Sequence, residues 1–252
     1  MTRTAIIAAM PGELKPLTRG WEHSCRNGVD LWRWPFDDGE WIAACAGAGV
    51  AAAALAFAEV EKLGPIGKVI STGWAGALTE ALKPGQAYCV SGVIDARTGE
   101  RFSAQDVPEN PPFACTPKCT HSDERLRPDL WLVSSATVAN HAEKQRLAST
   151  TPAALVDMEA AAIARLAAAR AIPFFCVKGI SDGYTDQLPD FNRFISENGR
   201  FHLARFVVFA LQHPSYWPAL IRMGENSKKA ARAIAVNLLD LLAALRPDQK
   251  AE

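Results

Sequence analysis

The sequence predicts an α/β fold in the form of a three-layer sandwich. Apolar segments rich in branched residues alternate along the chain with Ala-rich segments of helical periodicity, and three predicted strands end in glycine or a carboxylate. The chain has 252 residues, of which 49% are hydrophobic, so it is long enough to bury one large core. We therefore expect one main domain over residues 1–213 and a helical extension over residues 214–252, packed on the same domain or on a partner subunit.

Local patterns predict the individual elements in chain order. Strands are predicted over residues 4–9, 32–36, 41–45, 67–72, 86–94, 130–138 and 172–183. A short helix is predicted at residues 13–17, and Ala-rich helices are predicted up to Leu63 and after the apolar run at 155–158. Two further helices are predicted over residues 198–212 and 227–245. Residues 95–127 are expected to form an irregular surface excursion, and residues 140–151 a polar connection.

The charge balance excludes several classes of partner. Lys plus Arg and Asp plus Glu number 27 each, so no bulk charge recruits nucleic acid or an anionic membrane. The apolar run at the start is too short for a signal sequence, and no segment approaches the length of a membrane span. We expect a cytoplasmic protein whose partner is a small molecule.

The six cysteines indicate neither a disulfide framework nor a metal site. They are scattered and lie mostly in apolar runs, which is typical of reduced, buried thiols. Cys115, Cys119 and His121 form one cluster, but no second ligand pair at zinc-finger spacing follows it. A surface loop is the favoured interpretation, and no metal is predicted.

Two carboxylates lie at element ends, where α/β proteins place their chemistry. Glu159 stands at the start of an Ala-rich helix, on a face that is otherwise apolar. A first-turn acid favoured by the helix dipole would explain Glu159 alone. The next predicted strand, however, ends in Ser181, Asp182 and a glycine, and it delivers a second carboxylate to an element end.

Two glycine-containing turns are candidates for binding. Gly47 belongs to a GxG turn between a strand and a helix, which allows a phosphate, hydroxyl or water to approach backbone amides, although it is not a dinucleotide fingerprint. Gly73 precedes Trp74 at another strand end, where glycine permits close backbone approach. Trp74 is interpreted either as a lid over a pocket or as a core residue.

Glu13, by itself, is best explained as a first-turn helix acid.

Four motifs in order make the chain resemble a known family. They are Ala8-Ala9-Met10 with Glu13, Ser71-Thr72-Gly73-Trp74-Ala75-Gly76, Asp157-Met158-Glu159-Ala160 and Ile180-Ser181-Asp182. Over roughly residues 4–210 the chain resembles the nucleoside phosphorylase and nucleosidase superfamily, in particular the 5′-methylthioadenosine/S-adenosylhomocysteine nucleosidases. The resemblance implies a central mixed β-sheet flanked by helices, and a homo-oligomer, commonly a dimer.

The resemblance also implies a reaction, the cleavage of an N-glycosidic bond in a purine nucleoside, with adenine favoured as the base. Such cleavage needs an acid beside the base, a nucleophile on the opposite face of the sugar and an anchor for the ribose hydroxyls. By similarity, Asp182 would be the acid or proton conduit to purine N7, oriented by Ser181, and Glu13 would activate water. Glu159 would accept hydrogen bonds from the ribose hydroxyls, with Met158 packed on the sugar. The resemblance implies no metal and no organic cofactor.

The chain departs from the family pattern at the base-binding positions. Trp74 stands where the nucleosidases usually carry serine, and Val138 aligns with an aromatic residue that stacks on the base. Both residues are predicted to contact the substrate, and purine specificity is the property that these departures affect.

The nucleophile is predicted to be water. The loop Met10-Pro11-Gly12 resembles the phosphorylase form, in which glycine amides help to hold phosphate. The two arginines that bind phosphate in phosphorylases are not matched, because Pro16 and Ser71 stand near their positions. Arg19 or Arg97 could substitute from elsewhere, so a phosphorylase with phosphate as co-substrate remains the alternative.

The tail suggests a more specific substrate. Residues 214–227 resemble the C-terminal segment of the hopanoid-biosynthesis branch, whose members are thought to remove adenine from adenosylhopane. That substrate would need an apolar channel near Trp74, Val138 or Tyr184. The apolar stripe of residues 227–245 is interpreted as packing on the domain or on a second subunit, in preference to a membrane surface. A nucleoside-binding protein without catalysis is a further alternative, which the joint presence of Glu13, Glu159 and Asp182 disfavours.

Overall fold

A computed structural model describes residues 2–36, 39–105, 130–196 and 199–245. The strands of these residues form one mixed sheet, as predicted. They are β1 (Thr2–Ala8), β2 (Glu22–Arg26), β3 (Val29–Phe36), β4 (Gly39–Cys45), β5 (Ile66–Ala77), β6 (Ala87–Cys89), β7 (Gly92–Asp95), β8 (Arg101–Ser103), β9 (Trp131–Ser134), β10 (Leu155–Asp157) and β11 (Phe174–Asp182).

The strand order is β2-β3-β4-β1-β5-β10-β9-β7-β8, and β11 pairs with β5 and β6. The pairs β1 with β4, β1 with β5 and β11 with β5 are parallel, whereas β10 with β5 is antiparallel. The long strand β5 is therefore central. Its first half pairs with β1, and its end pairs with β10, so that it connects the two halves of the sheet.

Six helices accompany the sheet in the described residues. They are α1 (Pro11–Leu14), α2 (Val50–Glu61), α3 (His141–Thr150), α4 (Ala160–Ala168), α5 (Leu203–Gln212) and α6 (Trp217–Ala244). None of the helices within the described ranges is long and apolar enough to cross a membrane.

Two core clusters on opposite faces of the sheet confirm the three-layer arrangement. Ala5 and Ile7 of β1 join the cluster that contains α2 and α4, and the intervening Ile6 joins the cluster that contains α6. This alternation is the period of two of a β-strand buried on both faces. Ile234 of α6 is completely buried in that second cluster, so the tail helix covers one face of the sheet.

Several predicted boundaries are wrong. Residues 86–94 form two strands that pair with different neighbours, β6 with β11 and β7 with β8 and β9. Residues 141–150 are a helix, which begins where the Asn140 side chain accepts a hydrogen bond from the Glu143 amide. Only Lys144 and Leu147 of this helix are buried, so its apolar periodicity was too weak to predict it. The helix predicted from residue 198 begins at Leu203, and the tail helix begins at Trp217 rather than residue 227.

The cysteines depart from the expectation of buried, reduced thiols at two positions. Cys45 and Cys176 are buried free thiols, but Cys25 is exposed and Cys89 is disulfide-bonded. Cys115, Cys119 and His121 lie outside the described residues.

Candidate active site

A cavity of about 400 Å³ opens where the ends of β5, β10 and β11 meet. Its walls come from the loop after β1, the second half of β5, the start of α4, the end of β11 and the two C-terminal helices. Seven of the nine predicted site residues line it: Glu13, Trp74, Val138, Met158, Glu159, Ser181 and Asp182. Gly47 and Gly73 do not line it, but each is the chain neighbour of a residue that does, Ala48 and Trp74 respectively.

Glu13 is held entirely by backbone amides. Its Oε2 accepts hydrogen bonds from the amides of Ala9 and Met10, both at 2.8 Å, and its Oε1 accepts one from the Trp74 amide at 2.7 Å. Burial raises the pKa of Glu13, and these three amides oppose that rise. A carboxylate offers about four acceptor sites, so Oε1 keeps one site for a further donor.

Two glycines of β5 leave space for the charged side chains of the site, because they have no Cβ atom. Gly73 has φ of +120°, and a Cβ added there would lie 2.8 Å from Oε1 of Glu13. A Cβ at Gly76 would lie 3.1 Å from both Oδ2 of Asp182 and Cε of Lys144. The close approach that the sequence predicts at these glycines is thus made by the protein's own side chains.

Glu159 also binds amides, one of them in the GxG turn. Its Oε1 accepts a hydrogen bond from the Gly49 amide at 2.6 Å, and its Oε2 accepts one from the Met158 amide at 3.2 Å. Burial, reinforced by the nearby charge of Asp157, raises the pKa of Glu159 to about 7. Two of its acceptor sites are left for a ligand. Gly47 has a structural position instead, since a Cβ there would lie 2.7 Å from the Gly199 carbonyl oxygen.

A buried ion pair lies near Glu13 and Glu159 and acts on their charges. Nζ of Lys178 lies 2.9 Å from Oδ2 of Asp157, and it donates a hydrogen bond to the Thr72 carbonyl at 2.9 Å. Oδ1 of Asp157 accepts a further hydrogen bond from the Ser134 hydroxyl at 2.6 Å. Burial opposes the charge of Lys178, but the adjacent Asp157 raises its pKa overall, so Lys178 stays protonated. A fixed cation therefore lies close to Glu13 and Glu159, although it does not itself line the cavity.

Both carboxylate oxygens of Asp182 accept hydrogen bonds. The Ser181 hydroxyl donates to Oδ1 at 2.5 Å, and the ammonium of Lys144 donates to Oδ2 through a short hydrogen bond. Lys144 also donates to the Gly183 carbonyl at 2.7 Å, and its side chain is 2% exposed. A register shift of β11 against β5 between Ile180 and Asp182 places Asp182 opposite Gly76. The predicted acid is thus a carboxylate paired with a buried ammonium.

The two residues that depart from the family pattern are fixed by hydrogen bonds. The Asn192 side chain accepts from the Val138 amide at 2.8 Å and donates to the Val138 carbonyl at 3.0 Å. The Trp74 indole donates to the Ser227 carbonyl of α6 at 3.0 Å. Trp74 is therefore neither a free lid nor a core residue, because it lines the cavity while tying β5 to α6.

The far end of the cavity is apolar. Its lining there combines residues of the loop before α5 with residues of α5 and α6: Leu188, Pro189, Phe191, Ile195, Phe201, Phe206, Leu220 and Met223. Phe191 and Phe194 contact Phe201 and Phe206 with ring centroids 5.4–6.4 Å apart across the group, which fixes this wall.

Among the described residues that line the cavity, Lys144 is the only Lys or Arg. Arg19 and Arg97, the possible substitutes for phosphate ligands, are exposed and do not line it. Within the described ranges, no group of three or more His, Cys, Asp or Glu side chains is arranged to hold a metal ion.

Two lysines of the site are not predicted from the sequence. The pattern predicts only a polar connection around Lys144 and a buried strand around Lys178, with no role for either lysine. A lysine inside an otherwise apolar strand was the available signal for Lys178, since a buried charge requires a partner. For Lys144 no comparable signal exists, because it lies in a polar segment.

Comparisons with known proteins identify the family and the fold. The sequence matches the family model described as Phosphorylase superfamily over residues 3–208. A search of curated proteins gave no match. The fold is similar to that of futalosine hydrolase of Helicobacter pylori strain 26695, with a TM-score of 0.69 and 16% identity over 97% of this chain and 98% of that chain.

Two further solved structures are 5′-methylthioadenosine/S-adenosylhomocysteine nucleosidases. The enzyme from Colwellia psychrerythraea 34H in complex with adenine has a TM-score of 0.66 and 20% identity over 97% of this chain and 96% of that chain. The enzyme from Streptococcus pneumoniae with a transition-state inhibitor has the same TM-score and identity over 97% and 100% of the two chains. These likenesses show a shared fold.

Proposed function

The chain belongs to the phosphorylase superfamily, and on this premise we propose that it is a nucleosidase that hydrolyses the N-glycosidic bond of a purine nucleoside, with adenine as the favoured base. The family match confirms the prediction of an enzyme, either a nucleosidase or a phosphorylase. The observation that carries the proposal is that Glu13, Glu159 and Asp182, from three separate elements, line one cavity.

Glu159 is suited to bind the ribose. Its two oxygens each accept one amide hydrogen bond, so each has one site left for a ribose hydroxyl. Met158 lies beside it in the lining and offers an apolar contact to the sugar. The sugar would thus be held by hydrogen bonds that its hydroxyl groups donate.

Glu13 is suited to activate water. Three amides fix its carboxylate, and the open site on Oε1 can accept a proton from a water molecule. Because burial raises the pKa of Glu13, the carboxylate is a stronger base than an exposed glutamate. As the bond from C1′ to the base nitrogen breaks, the water oxygen bonds to C1′ and Glu13 takes the water proton.

Asp182 and Lys144 would together supply the proton to the leaving base. The electron pair of the broken bond remains on the purine, which is a poor leaving group as an anion. Asp182 accepts hydrogen bonds on both oxygens, and the Lys144 ammonium is the adjacent proton store. A proton that passes from Lys144 through Asp182 to N7 leaves a neutral lysine and a neutral base.

Water is favoured over phosphate for two reasons. Among the described lining residues there is no arginine to bind a phosphate dianion in a bidentate manner. The amides of Ala9 and Met10, at the start of the loop that resembles the phosphorylase form, already donate to Glu13. Phosphorolysis remains the alternative reaction at the same site.

Product analysis tests the reaction. Purified protein is incubated with adenine and hypoxanthine nucleosides, with and without phosphate, and the products are identified by mass spectrometry. Free base and free pentose, independent of phosphate, would support hydrolysis. Pentose 1-phosphate would establish the phosphorylase instead. Absence of both products for every nucleoside, with ligand binding retained, would favour a binding protein without catalysis.

The apolar end of the cavity supports a substrate with an apolar 5′ substituent. Phe201, Phe206, Leu220 and Met223 offer no hydrogen-bonding side chain to a polar group. Release of adenine from adenosylhopane is one such reaction. A series of nucleosides with 5′-alkylthio groups of increasing length tests this. Values of kcat/KM that rise with chain length would support it, and values that fall from methyl onwards would contradict it.

A further inference from the structure

Helix α5 carries an apolar face that nothing in the described structure covers. Leu203, Val207, Val208 and Leu211 are 64%, 45%, 55% and 66% exposed, and no residue of this helix is fully buried. The exposed apolar surface continues onto the start of α6 at Trp217 and Ile221, which are 46% and 61% exposed. We refer to these six residues as the corner patch. A contiguous apolar surface of this kind marks an interaction site.

Contacts on the inner side of α5 and at its junction with α6 fix the position of the corner patch. On the opposite side of α5, Phe206 and Phe209 contact Phe194, with ring centroids 5.5 and 5.2 Å apart. The Trp217 indole donates a hydrogen bond to the Ala210 carbonyl at 2.7 Å, which fixes the corner between the two helices. The outward apolar face is therefore presented by an anchored element.

The chain segment that carries the corner patch has an excess of positive charge. Residues 199–245 contain six Lys and Arg residues and two acidic residues, although the whole chain has no net charge. Helical spacing places Lys228 and Arg232 on the same exposed side of α6 as Ile221, together with the acidic Glu225. Arg222 and Lys229 are exposed at the edge of this side. Exposed aliphatic residues, a tryptophan and flanking basic residues are the composition of helices that lie on anionic membranes.

The corner patch is also close to the candidate active site. Phe206 of α5 and Leu220 and Met223 of α6 line the apolar end of the cavity. The same two helices thus carry apolar side chains both toward the cavity and toward the outside. A surface to which the corner patch binds would lie next to the apolar end of the cavity.

We propose that the corner patch docks the protein on an anionic lipid bilayer, so that an amphiphilic nucleoside dissolved in that bilayer reaches the cavity by its apolar end. The docking follows from the patch and its charge; the delivery of substrate rests on the proposed function. A second copy of the chain is the less favoured occupant. A two-fold interface through this face would bring two basic surfaces together, whereas an anionic bilayer neutralises them.

Vesicle flotation of the full chain tests the docking. Vesicles of phosphatidylcholine alone are compared with vesicles that also contain phosphatidylglycerol. The wild type is expected to float with the anionic vesicles and to be released by added salt. The triple variant Leu203→Glu, Val207→Glu, Leu211→Glu is expected to reduce the bound fraction at least about tenfold. Failure of the wild type to bind anionic vesicles would overturn the proposal.

A matched control separates the corner patch from general surface hydrophobicity. Val50 and Leu55 of α2 are 54% and 40% exposed, and α2 packs on the face of the sheet opposite to α6. The variant Val50→Glu, Leu55→Glu should bind vesicles as the wild type does. Equal loss in both variants would contradict a specific docking face.

Two further measurements distinguish this proposal from its alternatives. Light scattering that showed a wild-type dimer and a monomeric triple variant, without vesicle binding, would identify a second copy as the occupant and overturn the bilayer proposal. Hydrolysis of a water-soluble nucleoside should be unchanged in the triple variant, since the patch faces away from the reacting groups. Vesicle binding without turnover of any nucleoside would refute the proposed function and leave the docking intact.

Discussion

The two ends of the cavity are built in different ways. We call the end of the cavity that contains Glu13, Glu159 and Asp182 the reactive end. There, backbone amides of the β1 loop and β5 hold Glu13, and a backbone amide of the turn before α2 holds Glu159. At the apolar end, side chains of α5 and α6 form the wall, and the helices that carry them are partly exposed. Backbone hydrogen bonds make the positions of Glu13 and Glu159 insensitive to most neighbouring side chains, whereas substitutions in the helical wall change the apolar end directly. Asp182 is the exception at the reactive end, because the side chains of Ser181 and Lys144 hold it. We infer that the reactive end determines the chemistry and the apolar end determines the substrate.

Glu13→Gln should have the largest effect, because it removes the proposed base while keeping the shape of the side chain. We expect kcat to fall by about 10³-fold. Steady-state kinetics with a purine nucleoside measures this. The exposed Glu22→Gln is the control and should be unaffected. A decrease below about fivefold would show that Glu13 does not act on the nucleophile.

Lys144→Met should lower kcat on purine nucleosides by about 100-fold, because the proton store of Asp182 is lost. Turnover of 4-nitrophenyl riboside should change little, since its leaving group departs without protonation. Equal losses on both substrates would show that Lys144 has only a structural role.

The loss of Lys144 also leaves Asp182 as a buried carboxylate without its cation, so thermal denaturation of the variant must be measured. Lys144→Met, Asp182→Asn removes both charges and should recover stability but not activity on nucleosides. The exposed Lys15→Met is the control for the loss of a lysine.

Gly73→Ala should reduce kcat by about 10- to 100-fold, because the new Cβ would displace Glu13. The strain of a positive φ adds a loss of stability of about 1 kcal/mol or more. Gly99→Ala is the matched control, since Gly99 has φ of +76° and open space around its Cβ position. Similar kinetics for both variants would mean that the contact with Glu13 is unimportant.

The ionisation of Glu159 predicts opposite effects of pH on activity and stability. Ribose hydroxyls need a carboxylate acceptor, so KM should rise about tenfold per pH unit below the Glu159 pKa of about 7. Because the folded pKa is raised above the unfolded value of 4.5, the contribution of Glu159 to stability is lost as the pH rises through about 7. Thermal denaturation of wild type and Glu159→Gln between pH 5 and about 8 tests this. A wild-type stability that fell relative to the variant on acidification would contradict the raised pKa.

Phe206→Ala should have the smallest effect and should act on substrate choice. Truncation of this wall residue removes apolar contact area, so kcat/KM for nucleosides with long apolar 5′ groups should fall about tenfold. The value for short 5′ groups should stay within about twofold, because the reactive end is untouched. Equal losses of kcat/KM for nucleosides with long and short 5′ groups would show that the two ends of the cavity do not have separate roles.

The motifs around Glu13, Glu159 and Asp182 were predictable because each lies at an element end that its local pattern defines. That these residues line one cavity could be expected from the parallel strands and from the family resemblance. The role of Gly49 was missed in favour of Gly47, since a GxG turn offers two amides and only the fold decides which one faces Glu159. Helix α3 was missed because its few buried residues leave hardly any periodic signal.

The sequence alone determined the layered fold and the order of most elements, and it named the candidate carboxylates. The fold follows from periodicity and turn residues, which are local properties of the chain, and the candidate carboxylates follow from short motifs and the family resemblance. Tertiary structure alone decided that Lys144 pairs with Asp182, that Lys178 pairs with Asp157 and that α5 remains uncovered. Each of these depends on contacts between segments far apart in the chain, and the free energy of a charge or an apolar face is set by what surrounds it in space.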